Sequence, residues 1–192
     1  MIICMYEYHN LIAVTDRKLC AGDFYEQLRK VAALGPPGLI LREKDLPDAA
    51  YEMMAVRAQE ICAEKGVPFF VHGRPELAGR IGCGNIHLPL HVLEGLGGRP
   101  ADTGILSVSC HSREDVEKAA ALGADRIILG TVFETGCKPG LPGKGTAFVR
   151  EICALTDLPV YAIGGITPGN VREVMEAGAA GGCMMSGYMN MP

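Results

Sequence analysis

A chain of 192 residues with 48% hydrophobic and 21% charged content can fill one sizeable core, and it is read as a single domain spanning residues 1–192. A formal net charge of −4 with scattered lysines and arginines excludes the basic stripe that a nucleic acid partner would need. No run approaches the roughly 20 uninterrupted apolar residues of a membrane span, and residues 1–10 carry no cationic leader, so no membrane partner and a cytoplasmic location are expected.

Taken in chain order, short apolar runs at 11–15, 38–42, 68–72, 85–88, 105–109, 126–130, 159–164 and 181–186 read as strands. Their apolar residues are nearly continuous rather than alternating, as in strands covered on both faces. Between them lie segments of helical period. In 112–124, Ser112 followed by Asp115 reads as a cap and the apolar positions return at Val116, Ala119 and Ala120. Before the last strand, Thr167 reads as an N-cap and Pro168 as the first helical residue. Eight strand-and-helix steps predict an α/β fold of the (β/α)8 TIM-barrel type. So few residues follow the eighth strand that its helix is expected to be truncated or missing, and a homodimer would cover the gap.

The eight cysteines are dispersed with no C-x-x-C pair, so they read as small buried hydrophobes, and no metal site is expected from them.

In such a barrel the chemistry sits at the C-terminal ends of the strands. The sequence delivers Thr15, Asp16 and Arg17 there after the first strand, and Arg42, Glu43 and Lys44 after the second. His72 and Arg74 follow the third, His87 the fourth, and Ser109 and His111 the fifth. The glycines at Gly164 and Gly165, with Met185 and Ser186 on the last strand, predict a phosphate site, because residues without a side chain let backbone N–H groups approach the oxygens. A tight turn is the plain structural alternative for the glycine pair.

The segment "GTVFETGCKPGLPGKG", residues 130–145, holds five glycines and two prolines and reads as a lid that would bring Thr135 and Lys138 to the ligand. His111, one step past a strand end, is placed to titrate in the mouth. His87, His9 and His91 read as packing or surface residues. Arg42 and Lys44 would hold a second anionic group, or else form ion pairs around the rim.

The stretches "VTDR", "LREKD", "VHGRPELA", "IHL", "SVSCHS", the 130–145 segment and "AIGGITPGNVREVMEAGAAG" resemble the thiamine-phosphate synthase and TenI superfamily along nearly the whole chain. The resemblance implies a TIM barrel that handles thiazole phosphate in thiamin biosynthesis. It covers two activities. Synthases join a hydroxymethylpyrimidine diphosphate to the thiazole phosphate and usually read Q-x-R-E-K on the second strand, N-D-R on the third and G-Q-x-D after the fourth, with the acidic residues holding magnesium and the diphosphate.

Here Ile40 stands at the glutamine position, His72 and Gly73 at the N-D pair, and 87–92 offers no aspartate. The histidine matching His111 and the long loop resemble the TenI branch. That branch implies an isomerase, a thiazole tautomerase, with His111 as acid/base catalyst and no metal or redox cofactor. His72 departs from both branches, as a second proton carrier or a changed specificity contact. Two alternatives stand beside the tautomerase: the synthase, with magnesium as cofactor, and a non-catalytic thiazole-phosphate-binding regulatory protein.

Overall fold

The structure, a computed structural model, describes residues 5–136, 140 and 142–192. Eight parallel strands, β1 (Leu11–Val14), β2 (Leu39–Leu41), β3 (Phe69–His72), β4 (Ile86–Pro89), β5 (Leu106–Cys110), β6 (Arg126–Gly130), β7 (Val160–Ile163) and β8 (Gly181–Met184), close into a barrel in sequence order. The predicted TIM barrel is the observed fold.

The apolar runs that look continuous in sequence resolve into two alternating sets. Successive side chains of a strand point to opposite faces. Leu11, Ala13, Leu39, Leu41, Phe69 and Val71 belong to the large cluster between barrel and helices. Ile12, Val14, Ile40, Phe70, Ile128 and Cys183 form a second cluster inside the barrel. Burying each such leucine or isoleucine contributes about 1.5–3 kcal/mol, so apolar side chains on both faces of most strands hold the barrel closed, β4 and β5 turning polar groups inward instead.

Among the described residues, eight α-helices follow the strands: α1 (Phe24–Ala33), α2 (Asp48–Glu64), α3 (Pro75–Arg80), α4 (Leu90–Leu96), α5 (Arg113–Ala121), α6 (Gly145–Leu155), α7 (Val171–Glu176) and α8 (Ser186–Met189). The short chain suffices because α3, α4, α7 and α8 are only 6, 7, 6 and 4 residues long. The expected cap of α5 is present as a full capping box between Ser112 and Asp115.

The expected start of α7 is corrected. Residues 168–170 form a turn and Asn170 is the N-cap, because the Asn170 side chain spans that turn. Its Oδ1 accepts from the Thr167 N–H at 2.8 Å and its Nδ2 donates to the Gly165 carbonyl at 2.9 Å. Pro168 therefore begins a turn, not a helix.

The truncated last helix, α8, is covered by the chain itself. The hydroxyl of fully buried Tyr188 donates to the Leu11 carbonyl at 2.8 Å, and Gln27 of α1 donates to the Tyr188 carbonyl at 2.6 Å. Cys20, beside the 3-10 turn Arg17–Leu19, meets Met189 sulfur to sulfur at 3.8 Å. Six cysteines are free, namely Cys20, Cys62, Cys83, Cys110, Cys153 and Cys183, while Cys4 and Cys137 lie outside the described residues. Burial pushes the thiols of Cys62 and Cys110 up to about 12, so they stay protonated packing groups. Among the described residues, no helix is long and apolar enough to cross a membrane.

Candidate active site at the C-terminal mouth of the barrel

A cavity of about 620 Å³ opens at the C-terminal end of the strands. Arg42, Lys44, His72, Ser109, His111, Thr135, Gly164, Gly165, Met185 and Ser186 all line it. Of the residues expected in the site, Lys138 alone lies outside the described residues. Val14, Ile40, Ile128, Ile163 and Cys183 supply an apolar floor.

The β2 end divides its charges between two tasks. Glu43 is buried, its Oε1 accepting the Thr15 hydroxyl at 2.7 Å and the Arg17 N–H at 3.0 Å. Its Oε2 accepts Arg17 Nη1 at 2.9 Å, and Arg17 also forks onto Asp45 at 2.7 and 2.8 Å. Paired with Arg17 and Lys18, the Asp45 carboxyl is held well below the usual carboxylate range. This is the rim pairing that the sequence allowed for the cluster. Arg42 and Lys44, at alternate positions, line the cavity.

Beside them, β3 and β4 place two imidazoles in register, His72 opposite His87, with ring centroids 5.4 Å apart. His87 has both ring nitrogens occupied, Nδ1 by the Ser107 hydroxyl at 2.8 Å and Nε2 by the Ser109 hydroxyl at 2.7 Å. Burial first, then the charges of Lys44 and Arg42, lower His72 to about 4. Burial also carries His87 well below its ordinary value, with the His72, Arg126, Lys44 and Arg42 charges adding to it. Both rings are neutral at pH 7. The packing role expected of His87 holds, yet it also lines the cavity, as does His91. The signal that marks His87 is the inward alternation of β4 and β5, whose register sets His87 against Ser107 and Pro89 against Ser109.

His111 is held at three points. Its Nδ1 donates to the Gly130 carbonyl at 2.8 Å, its backbone N–H donates to Asp115 Oδ2 at 2.7 Å, and Lys144 donates to its carbonyl. A carbonyl can only accept, so Nδ1 carries the proton and, in the neutral ring, Nε2 is an acceptor. Lys144, which also lies 4.5 Å over the Phe148 ring, was not anticipated from sequence.

The glycine pair serves the turn and the cavity at once. Gly164 and Gly165 have φ of +103° and +65°. A Cβ on Gly164 would stand 2.4 Å from Thr131 Cγ2, and one on Gly165 would stand 2.5 Å from the Glu134 carbonyl oxygen. The start of the 130–145 segment is laced onto β7, with Val132 N–H donating to Ile163 at 2.9 Å and Phe133 N–H to Gly164 at 3.0 Å. Its far end returns through Lys144 N–H to the Thr131 carbonyl at 3.0 Å. The roots of the expected lid are therefore pinned, and Thr135 is set on the cavity wall.

The sequence profile of the family described as thiamine monophosphate synthase matches residues 11–188. The chain belongs to this family. A thiamine-phosphate synthase of Methanoculleus marisnigri is 37% identical over 182 residues, spanning 93% of this chain and 86% of the relative. One of Thermus thermophilus is 36% identical over 155 residues, 80% of this chain and 75% of the relative. The solved structure of a thiamine phosphate pyrophosphorylase from Pyrococcus furiosus superposes with a TM-score of 0.81 at 26% identity, covering 96% of this chain and 89% of that one.

These likenesses overturn the isomerase expectation. The tautomerase assignment leaned on the histidine and loop motifs and on departures at Ile40, His72 and Gly73. Similarity to synthases over more than nine-tenths of the chain outweighs those few positions.

Proposed function

We propose that the chain is a thiamine-phosphate synthase, a transferase that joins a hydroxymethylpyrimidine diphosphate to a thiazole phosphate. The observation that carries this reading is a cavity with two anion-seeking edges. One is the cationic edge of Arg42 and Lys44 after β2; the other is the glycine edge of Gly164 and Gly165 after β7, continued by Met185 and Ser186 after β8. Two phosphorylated ring substrates need two such edges with an apolar floor between them.

In the reaction, the bond from the pyrimidine methylene carbon to the diphosphate oxygen breaks, and its electron pair leaves with the diphosphate. The thiazole nitrogen lone pair forms the new C–N bond. Arg42 and Lys44 stabilise the charge gathering on the leaving group, and the glycine edge holds the thiazole phosphate through backbone N–H groups. Positive charge develops on the carbon and then on the thiazole ring. His72 and His87, uncharged at pH 7, line the cavity without opposing it. His111 Nε2 accepts a hydrogen bond from a substrate donor, and Ser109 and Thr135 complete the wall.

Magnesium, which the resemblance implies for synthases, meets few donors at the ends of β3 and β4. His72 and Gly73 stand at the end of β3, and Pro89, Leu90 and His91 follow at the end of β4, with no carboxylate among them. Asp115 is committed to the His111 and Ser112 N–H groups, Glu94 to Lys118 at 3.1 Å and Asp48 to Arg74 at 2.9 Å. Among the described residues no group of three or more His, Cys, Asp or Glu side chains is arranged to hold a metal ion. Magnesium takes one or two carboxylates beside water and substrate phosphate oxygens, and the ends of β3 and β4 supply none, so this donor set does not fit it.

Thiamin phosphate formation from the two substrates, followed by chromatography, tests the assignment. Turnover is expected, and no product after prolonged incubation with enzyme at substrate-like concentration would overturn it.

A further inference from the structure

We infer that this chain seats the diphosphate group with its own cations and binds it without a divalent metal ion; the inference rests on the synthase reading above. Two independent features of the mouth carry it.

The first is Arg42. Its half-buried side chain lines the cavity, and its guanidinium makes no hydrogen bond or ion pair to another described residue. Other arginines nearby are satisfied: Arg17 by Glu43 and Asp45, Arg74 by Asp48, and Arg80 by Glu52. A planar fork of donors matches the oxygens of a diphosphate, and a cavity wall is where such a fork finds them.

The second is the sign of the surroundings. Lys44 lines this cavity and also a neighbouring one of about 510 Å³, and the two share a wall of Lys44, His72, Pro89 and His91. Of the carboxylates that line the two cavities, Asp115, Asp48 and Glu94 already hold backbone or cationic partners, which leaves Glu76, on the neighbouring cavity, standing singly. A divalent cation entering here would meet like charge and no free carboxylate pair, whereas a diphosphate would meet the field it needs.

Calorimetric titration of the full chain with inorganic pyrophosphate, in magnesium chloride and again in excess EDTA, tests this. Dissociation constants within about threefold of one another are expected, and Arg42→Gln should weaken the EDTA value by roughly tenfold or more while keeping the parent's unfolding temperature. Gly73→Asp supplies a gain-of-function arm. Gly73 has a φ of +70° and open space around its Cβ position, and aspartate tolerates that conformation better than most residues. The carboxylate should make binding stronger in magnesium than in EDTA.

Pyrophosphate binding that collapses in EDTA would overturn the inference and leave the synthase reading standing. Binding in neither buffer would remove the synthase reading itself. A folded Arg42→Gln protein that binds as the parent does would take Arg42 out of the seat.

Discussion

Arg42 and Glu43 are adjacent in sequence and opposite in circumstance. Glu43 is 1% exposed and fully bonded to Thr15 and Arg17, while Arg42 faces the cavity. Nothing in the letters separates them except the alternation of a strand carried one step past its end, which turns even positions inward. A helix residue, Tyr51, ties the ends of two strands together. Its hydroxyl, reaching in from α2, donates to the Leu41 carbonyl at 2.5 Å and accepts the His72 N–H at 3.0 Å, joining the backbones that carry Arg42 and His72. Tyr51→Phe leaves both partners buried and unsatisfied. Urea unfolding should show a loss of about 1–3 kcal/mol, and a variant as stable as the parent would show that the bridge contributes nothing.

At the scale of elements, strand order and the barrel were legible because eight apolar runs alternate with helical ones. The start of α7 was not. A threonine before a proline matches a helix entry, yet the Asn170 side chain closes a turn there by bonding both Thr167 and Gly165. A side-chain bridge of this kind competes with a cap, and spacing alone does not distinguish them. The ten cavity residues found in place were legible from strand ends, whereas Lys144 was hidden because its partner is the backbone of His111, far away in sequence.

The union of loop and β7 needs both residues of the glycine pair as glycine, whatever binds there. Gly165→Ala would press a Cβ to 2.8 Å from Phe133 Cβ in addition to the Glu134 contact, at a φ of +65°. The loop root must move. A loss on the order of 1–3 kcal/mol in stability and weaker thiazole phosphate binding are expected, measured by thermal unfolding and calorimetry. Unchanged values in both would mean that the segment is not seated on β7.

For the whole molecule, the barrel interior is the feature with a thermodynamic signature. Its inner face carries His72 and His87 as neutral bases, with Arg126 stacked 5.0 Å from the Phe70 ring and 5.5 Å from the Tyr161 ring, and Arg42 and Lys44 at the mouth. Unfolding releases both imidazoles to water, where they titrate near their ordinary value of 6.5. Between that value and the folded value of about 4 for His72, the unfolded chain holds more protons than the folded one. Stability is therefore full above pH 6.5 and falls as the pH drops through this window. From pH 7 to 5, His72 alone should remove roughly 2 kcal/mol, with His87 adding in the same direction. Carboxylates titrate mostly below that range, so the interval isolates the histidines. Urea unfolding at fixed ionic strength at pH 7, 6 and 5 should show this decline, and His72→Asn should make it shallower. A parent whose unfolding free energy stays flat over the interval would mean that the two rings are not held neutral in the barrel.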